Sequence, residues 1–294
     1  WCSATGTSTG ARRMPADAPG ETTWLGAEPP DPPPASLRAR AAGGARIAAA
    51  ALVTGGLLIP YAGFRAVEKA RPGFRWREAV QRLWARIMAR LCGIRVTRVG
   101  EPMPHGGALV ANHVSWSDIF VLVGAARMTF VAKAEVRAWP GVGPIAALCD
   151  TVFIERRRAA AKAQEAELKG RMLAGDRLLF FPEGTSTDGR RVLPFRSTLF
   201  AAMTADELRE TAWVQPVSVV YHPPKGAPAA FYGWWGTMDF GAHVWTVLTR
   251  SFGGRAEVVF HPPVRAADFP DRKTLAAHCW RAVEQGLRMR IDPA

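Results

Sequence analysis

Short apolar segments alternate with helical stretches from Gly93 onward, and this alternation restricts the fold more than any other feature of the chain. Such alternation is typical of α/β domains, in which helices flank a mostly parallel sheet. The predicted strands are Ile94–Val99, Ala108–Ala111, Thr129–Ala132, Thr151–Ile154, Arg177–Phe181, Val214–Tyr221 and Ala256–Phe260, with helices over Arg158–Ala174 and Lys273–Arg288. We therefore predict a single α/β domain over residues 93–294, with a mixed, mostly parallel sheet flanked by helices.

The segment before this domain divides into two parts by composition. Residues 1–45 are rich in Pro, Ala, Gly and Thr. Such a segment buries too little apolar surface to offset the entropy of ordering, so we expect a disordered tail that is dispensable for activity. Residues 46–92 predict membrane-associated helices, one apolar and one amphipathic.

Ile47–Phe64 is an apolar run of 18 residues without a charge, close to the minimum length for crossing a bilayer. A buried core helix, or a helix that dips into the bilayer without crossing, would show the same pattern. Basic residues flank both sides and favour a cytoplasmic location for the later side. Trp76–Leu91 has apolar residues every three or four positions with arginines between them. This pattern is typical of an interfacial helix and equally of a surface helix packed on the domain.

The net charge of +13 indicates an anionic partner: lipid headgroups, acidic proteins or nucleic acid. No nucleic-acid-binding module is recognisable, so we do not expect nucleic acid. The four cysteines have no metal-ligand spacing, and we expect neither a metal nor another cofactor. A reduced domain facing the cytoplasm fits this cysteine pattern.

Polar residues follow the predicted strand Ala108–Ala111, in the order Asn112-His113-Val114-Ser115-Trp116-Ser117-Asp118. Open α/β sheets collect active-site groups at the carboxyl ends of their strands. His113 is suited to take a proton from a hydroxyl near pH 7. Asp118, one helical turn on, could hold the other ring nitrogen of His113. Taken alone, this spacing favours a capped helix beside a hydrogen-bonded histidine over a catalytic pair.

Three further segments place polar residues at strand ends. Phe181-Pro182-Glu183-Gly184-Thr185-Ser186 combines a tight-turn glycine with side chains suited to a polar headgroup. Val152–Arg156 ends in a fixed positive charge suited to a phosphate or carboxylate. Val214–Val219 is apolar around Pro216. Each has a structural alternative: a strand-exit turn, a solvated arginine run and a plain edge strand, respectively.

In order and separation, these four segments resemble the motifs of the glycerolipid acyltransferase family, which includes bacterial 1-acylglycerol-3-phosphate acyltransferases. The family motifs match at Asn112, His113, Ser115 and Asp118, then Phe153, Ile154 and Arg156, then Phe181–Thr185, and finally around Pro216. The resemblance implies an acyltransferase domain in which His113 is the base and Asp118 orients it. The substrate-binding residues that it predicts are Asn112, Ser115, Arg156, Glu183, Gly184, Thr185, Ser186 and Pro216.

One departure bears on the acceptor. Many phosphate-acceptor members of the family continue the third motif with Arg, whereas this chain has Ser186. The segment Phe181–Phe200 resembles the branch of the family that acylates lyso-ornithine lipid, as does Phe231–Asp239. We therefore expect a lysolipid acceptor, with lyso-ornithine lipid favoured and 1-acylglycerol-3-phosphate as the alternative. Arg190, Arg191 or Arg196 could supply the missing charge, and Glu183 or Asp188 could bind the ornithine ammonium.

The predicted reaction is direct attack of the acceptor hydroxyl on a fatty acyl thioester. The thioester belongs to an acyl carrier protein or to coenzyme A, and the enzyme faces the cytoplasm at the inner membrane. Hydrolysis, with His113 activating water, is a rival reaction. A protein that binds lipid or an acyl carrier without catalysis is a rival of another class.

Overall fold

Residues 23–29, 34–71, 76–138, 142–154 and 161–291 are described by the structure, a computed structural model. Their strands are β1 (Ile94–Val99), β2 (Gly107–Ala111), β3 (Thr129–Lys133), β4 (Val152–Ile154), β5 (Arg177–Phe180), β6 (Trp213–His222), β7 (Gly254–Phe260) and β8 (Val264–Arg265). Their helices are α1 (Leu37–Ala70), α2 (Trp76–Leu91), α3 (Asp118–Ala125), α4 (Val142–Leu148), α5 (Ala161–Leu173), α6 (Ala201–Thr204), α7 (Asp206–Arg209), α8 (Phe240–Arg250) and α9 (Arg272–Ile291). The seven predicted strands are all present, and the two-residue strand β8 was missed.

The strands form one mixed sheet in the order β1-β7-β6-β2-β5-β3-β4, with β8 paired to β6. Every neighbouring pair is parallel except β6 with β7 and β6 with β8. The predicted fold class is therefore confirmed. Strand β2 lies between β5 and β6 and is parallel to both, so the carboxyl ends of these three strands lie at the same edge of the sheet.

Hydrophobic clusters cover both faces of the sheet, and strand β2 is buried at each of its five residues. Its side chains alternate between the clusters, as the pleat of a strand requires. Leu109 and Ala111 enter the cluster beneath α2, α3 and α8. Ala108 and Val110 enter the cluster beneath α5 and α9. Burial on both faces explains why this strand is a continuous apolar run in the sequence.

The reading of the Pro216 segment as an edge strand is wrong, because β6 pairs with β2 on one side and with β7 and β8 on the other. Pro216 lies where the second neighbour changes from β8 to β7, and its carbonyl accepts a hydrogen bond of 3.0 Å from the His261 amide. Proline has no backbone N–H, and the side on which that donor would lie faces the gap between the β8 and β7 hydrogen bonds. A proline is therefore tolerated inside the sheet.

Helix α1 is longer at both ends than the predicted apolar run, and its first turn is capped by Ser36, whose Oγ accepts a hydrogen bond from the Ala39 amide. By length and composition it could cross a membrane. Only 6% of its most apolar 18-residue window is buried, so the alternative of a buried core helix is wrong. Residues 37–45 are helical and not disordered as predicted, while residues 1–22 and 30–33 lie outside the described residues.

One side of α1 contacts the domain at several points along the helix. Near its start, the Arg46 guanidinium donates a 2.8 Å hydrogen bond to the Leu248 carbonyl in α8. In the middle, the Trp84 indole of α2 donates to Thr54 at 3.0 Å. Near its end, Arg65 pairs with Asp150 at 2.9 Å. The helix therefore lies along the domain.

Helix α2 buries small residues that lie beside its predicted apolar stripe. Its fully buried residues are the small or slender Ala85, Met88 and Ala89. These residues bring α2 close to α3, where the Arg86 Nε donates a 2.9 Å hydrogen bond to the Gly124 carbonyl. The predicted apolar stripe lies beside this face. Within it, Trp76 and Leu83 are 56% and 49% exposed, so α2 packs on the domain and still presents apolar side chains outward.

Candidate active site

His113 lies where β2 ends, and the third motif lies where the neighbouring strand β5 ends. The parallel pairing of β2 with β5 brings the two exits together. The His113 imidazole stacks on the Phe181 ring, with 4.2 Å between the ring centroids and 18° between the ring planes. The first and third motifs therefore meet at the carboxyl ends of these two strands. The His113 side chain keeps 25% of its surface exposed and is open to a substrate.

Asp118 holds the imidazole in one orientation. Its Oδ2 lies 2.7 Å from the His113 Nδ1. The same oxygen accepts hydrogen bonds from the amides of Val114 at 2.8 Å and Ser115 at 3.1 Å. A carboxylate bonded in this way accepts the Nδ1 proton, which leaves Nε2 as the basic nitrogen. Asp118 is the first residue of α3, so its side chain can turn back toward the loop that precedes the helix.

Tyr221 completes the support of Asp118, and sequence reasoning missed it. Its hydroxyl donates a 2.8 Å hydrogen bond to the Asp118 Oδ1 and lies 2.9 Å from the Ser117 Oγ. Burial, and then the negative charge of Asp118, raise the pKa of Tyr221 well above its usual value, so the phenol remains a donor. Tyr221 ends the predicted strand Val214–Tyr221, and this position at a strand mouth was a usable signal.

Glu183 is 2% exposed and binds backbone on both sides. Its Oε1 accepts a 2.7 Å hydrogen bond from the His113 amide. Its Oε2 accepts another, also of 2.7 Å, from the Leu193 amide. Burial raises the pKa of Glu183 to about 8, and the two backbone hydrogen bonds oppose that rise. Both oxygens are thus engaged, and the structure does not support the prediction that Glu183 binds substrate or an ammonium group.

The loop after Glu183 holds the other side of His113. The Thr187 amide donates a 3.0 Å hydrogen bond to the His113 carbonyl. Gly184 makes this path possible, since its φ of +74° lies in the left-handed region that glycine adopts without strain. The His113 backbone is therefore fixed at its amide and at its carbonyl by the third motif.

Asn112 also binds backbone. Its side-chain amide donates to the Val219 carbonyl at 2.9 Å and accepts from the Val219 amide at 2.7 Å. It is fully buried, as is Ser115, whose Oγ has no hydrogen-bond partner among the described residues. Pro216 is buried inside the sheet. The structure thus gives no support to direct substrate contact by Asn112 or Pro216, and Arg156 lies outside the described residues.

Residues 23–29 pack on the third motif, so the prediction of disorder is wrong for this segment. The Trp24 amide donates a 3.2 Å hydrogen bond to the Thr185 Oγ1. The Trp24 ring lies 6.0 Å from the Trp235 ring, and the Trp235 indole donates a 2.8 Å hydrogen bond to the Ala27 carbonyl. The prediction failed because it considered the tail's composition and not the apolar surface offered by Trp235.

Two of the arginines proposed to replace the missing charge differ in availability. Arg191 forms hydrogen bonds to both oxygens of Asp188, at 3.2 Å and 2.9 Å, and lies over the Trp24 ring. Asp188 is therefore already paired, which opposes the prediction that it binds an ammonium. The Arg196 guanidinium lies beside Gly184, 3.2 Å from the position of a β-carbon there. Any side chain at position 184 would crowd this cation.

Ser186 points away from the position that a charged side chain would need. Its Oγ donates a 2.5 Å hydrogen bond to the Trp234 carbonyl, and the residue is 8% exposed. The aromatic segment around Trp234 belongs to the interior, because Phe231, Tyr232 and Trp235 are all buried. These three residues therefore pack in the core and do not border lipid.

Comparison with known proteins agrees with this geometry. A family profile described as Acyltransferase matches residues 95–220. The lyso-ornithine lipid O-acyltransferase of Rhodobacter capsulatus is 45% identical over 269 residues, which cover 91% of this chain and 98% of the relative. The protein of the same name from Brucella abortus is 39% identical over 232 residues, which cover 74% and 84%. The chain therefore belongs to the glycerolipid acyltransferase family and is an acyltransferase.

The fold also has a counterpart among solved structures. The 1-acyl-sn-glycerophosphate acyltransferase of Thermotoga maritima superposes with a TM-score of 0.60 at 24% sequence identity. The match covers 82% of this chain and 89% of that one. At this identity the likeness shows the α/β acyltransferase fold alone.

Replacing Glu183 with Gln tests the assignment of Glu183 to the support of His113. An amide has one accepting oxygen, so either the His113 or the Leu193 amide loses its partner. A buried unpaired donor costs about 1–3 kcal/mol, and we expect the free energy of unfolding to fall by that amount, with a matching loss of turnover. Glu284→Gln is the control, since Glu284 pairs with exposed Arg288. Equal stability of the two variants in denaturant titrations would contradict the assignment.

Replacing Trp24 tests the packing of residues 23–29. Trp24→Ala removes the ring contact with Trp235, and aromatic pairs contribute about 0.5–1.5 kcal/mol beyond area burial. We expect faster amide hydrogen exchange over residues 23–29. We also expect the KM for the lysolipid to rise by the factor that corresponds to this free energy. Trp24→Phe keeps a ring and should lie closer to the wild type. Unchanged exchange in Trp24→Ala would show that the ring does not hold the segment.

Proposed function

We propose that the chain transfers a fatty acyl group from a thioester to the hydroxyl of lyso-ornithine lipid. The observation that supports the catalytic part is the His113–Asp118 pair at the carboxyl end of β2. The distance from the His113 Nδ1 to the Asp118 Oδ2 is 2.7 Å. The lyso-ornithine lipid O-acyltransferases of Rhodobacter capsulatus and Brucella abortus, which each match most of this chain, support the acceptor. The donor is an acyl carrier protein or coenzyme A thioester.

The step needs one base and no covalent acyl-enzyme. The acceptor oxygen bonds to the thioester carbonyl carbon while its proton passes to Nε2 of His113. The carbon–sulfur bond then breaks, and the imidazolium returns the proton to the departing thiolate. Asp118 stabilises the imidazolium through Nδ1. Tyr221 and two backbone amides hold Asp118 in place for this purpose.

The charge at the third motif favours a carboxylate-bearing acceptor. An Arg after Thr185 would give a fixed fork for a phosphate dianion, and this chain has an inward-turned Ser186 there. Arg196 beside Gly184 is a single cation suited to the ornithine carboxylate. We expect Gly184, which lies next to this cation, and Thr185 to border the same site.

We propose that α1 anchors the enzyme at the cytoplasmic face of the inner membrane. Its contacts with the domain from Arg46 to Arg65 favour a helix that lies in one leaflet over one that crosses. Its exposed apolar side chains, among them Leu52 and Ile59, each 77% exposed, suit the acyl region. Basic residues after the apolar run favour the cytoplasmic side.

Substitution of the acid–base pair tests the mechanism. We expect His113→Ala to lower turnover by about a hundredfold to ten-thousandfold, the usual contribution of a general base. Asp118→Asn should lower turnover because the His113 ring is misoriented. Asp271→Asn, at an exposed position, is the control and should leave turnover unchanged. Product is measured with labelled acyl donor and purified protein. A folded His113→Ala variant with wild-type turnover would exclude this mechanism, and labelled free fatty acid as the main product would indicate hydrolysis.

The acceptor is tested by competition between lyso-ornithine lipid and 1-acylglycerol-3-phosphate. We expect the wild type to prefer lyso-ornithine lipid and Ser186→Arg to move the ratio of products toward phosphatidic acid. Arg196→Ala should raise the KM for lyso-ornithine lipid by about tenfold or more, as expected for a lost charge-assisted hydrogen bond. The control is Arg288→Ala, because Arg288 is 72% exposed on α9. Turnover of 1-acylglycerol-3-phosphate alone would overturn the acceptor and leave acyl transfer intact.

A further inference from the structure

A cleft lined by five arginines lies outside the active site. It has a volume of about 440 Å³ and is formed by α2, β1 and the end of α3. Its arginines are Arg82, Arg86 and Arg90 from α2 and Arg95 and Arg98 from β1. No acidic residue lines it among the described residues. Five like charges around one concavity repel one another, and an anion in the cleft would relieve that repulsion.

The arginines of the cleft are only partly paired. Arg98 bonds to Glu101 at 3.0 Å, and both side chains are exposed, so water screens this pair. Arg86 donates through Nε to the Gly124 carbonyl, which leaves its charge uncompensated. Arg82 Nε is buried and has no hydrogen-bond partner within the described parts of the chain. Burial, and then the charges of Arg86 and Arg98, lower the pKa of Arg82. An acceptor is thus missing from this cleft.

The cleft and the catalytic pair lie at opposite ends of α3. Asp118 is the first residue of this helix, and Gly124 and Ala125 at its other end line the cleft. At 1.5 Å per residue this separation is roughly 10 Å, so a ligand in the cleft does not take the place of the reacting groups.

The surroundings of the cleft indicate a lipid. Leu83 lies between Arg82 and Arg86 in the sequence of α2 and is 49% exposed, and Trp76 on the same helix is 56% exposed. Arginines beside exposed apolar side chains on one helix are the arrangement of an interfacial helix, with charge at the headgroups and apolar groups in the acyl region. A concave cleft also suits a headgroup better than the flat surface of a protein.

We propose that this cleft binds the phosphate of an anionic membrane lipid and holds α2 on the bilayer surface. The proposal does not depend on the identity of the acceptor, because it concerns a lipid that is bound and not acylated. Its source is the membrane, as opposed to free phosphate or the nucleotide phosphates of coenzyme A.

The test uses the full chain in an uncharged detergent with dioctanoyl-phosphatidylglycerol as the probe. Affinity is measured by native mass spectrometry and by the rise in Tm. We expect Arg82→Gln/Arg86→Gln/Arg90→Gln to bind the probe about a hundredfold more weakly, from the usual contribution of an arginine near an anionic lipid surface. The control Arg272→Gln/Arg281→Gln/Arg288→Gln removes the same charge from α9 and should bind as the wild type does. Turnover of lysolipid in detergent should persist in the first variant, which separates this site from the acyl-transfer site.

A second variant guards against loss of fold in the first. Arg90→Gln/Arg95→Gln changes two exposed side chains and should still weaken binding by about tenfold or more. Equal affinity of this variant and the α9 control would overturn the proposal. So would equal binding of dioctanoyl-phosphatidylcholine, or of inorganic phosphate at the same concentration. Arginine-dependent binding of coenzyme A or of an acidic carrier protein, without lipid binding, would reassign the cleft to the donor.

Discussion

The hydrogen bonds that hold the His113 backbone connect the two halves of the catalytic site. Glu183 accepts from the His113 amide, and the Thr187 amide donates to the His113 carbonyl. A loop that leaves a strand at the centre of a sheet is otherwise free to adopt several paths. Held from both sides, it presents the imidazole at one position, and Asp118 then sets the orientation of the ring. The backbone amides that Glu183 binds therefore explain why a buried glutamate follows β5.

The parts of the fold that depend on local sequence could be predicted. The apolar run of β2 and the spacing of His113 and Asp118 each lie within a dozen residues, so pattern and periodicity sufficed. Glu183 was identified as a site residue, but its hydrogen bond with the His113 amide, 70 positions away, had no local signal. Tyr221 and Trp24 were missed for the same reason: their contacts with Asp118 and Thr185 are set by tertiary packing. The antiparallel pairing of β6 with β7 likewise has no local signal.

Helix α2 shows how one segment satisfied two interpretations that competed in the sequence. Its small residues Ala85 and Ala89 allow close approach to α3, and Trp84 packs edge-on against Phe120 of α3, with 5.3 Å between the ring centroids. Trp76 and Leu83 stay exposed, on a helix that also carries a row of arginines. Amphipathic periodicity identified the helix correctly and left open whether its stripe faces the domain or the bilayer, since small residues contribute little to such a pattern.

The contacts of α1 with α8, α2 and Asp150 have a consequence for lipid traffic. With α1 in one leaflet, as proposed, the catalytic domain beside it would reach only that leaflet. Its lysolipid would then enter from that leaflet, and the two-chain product would return to the same leaflet. Each turnover adds a chain to that leaflet without adding a headgroup. Spreading the product across the bilayer would then be a separate event from acyl transfer.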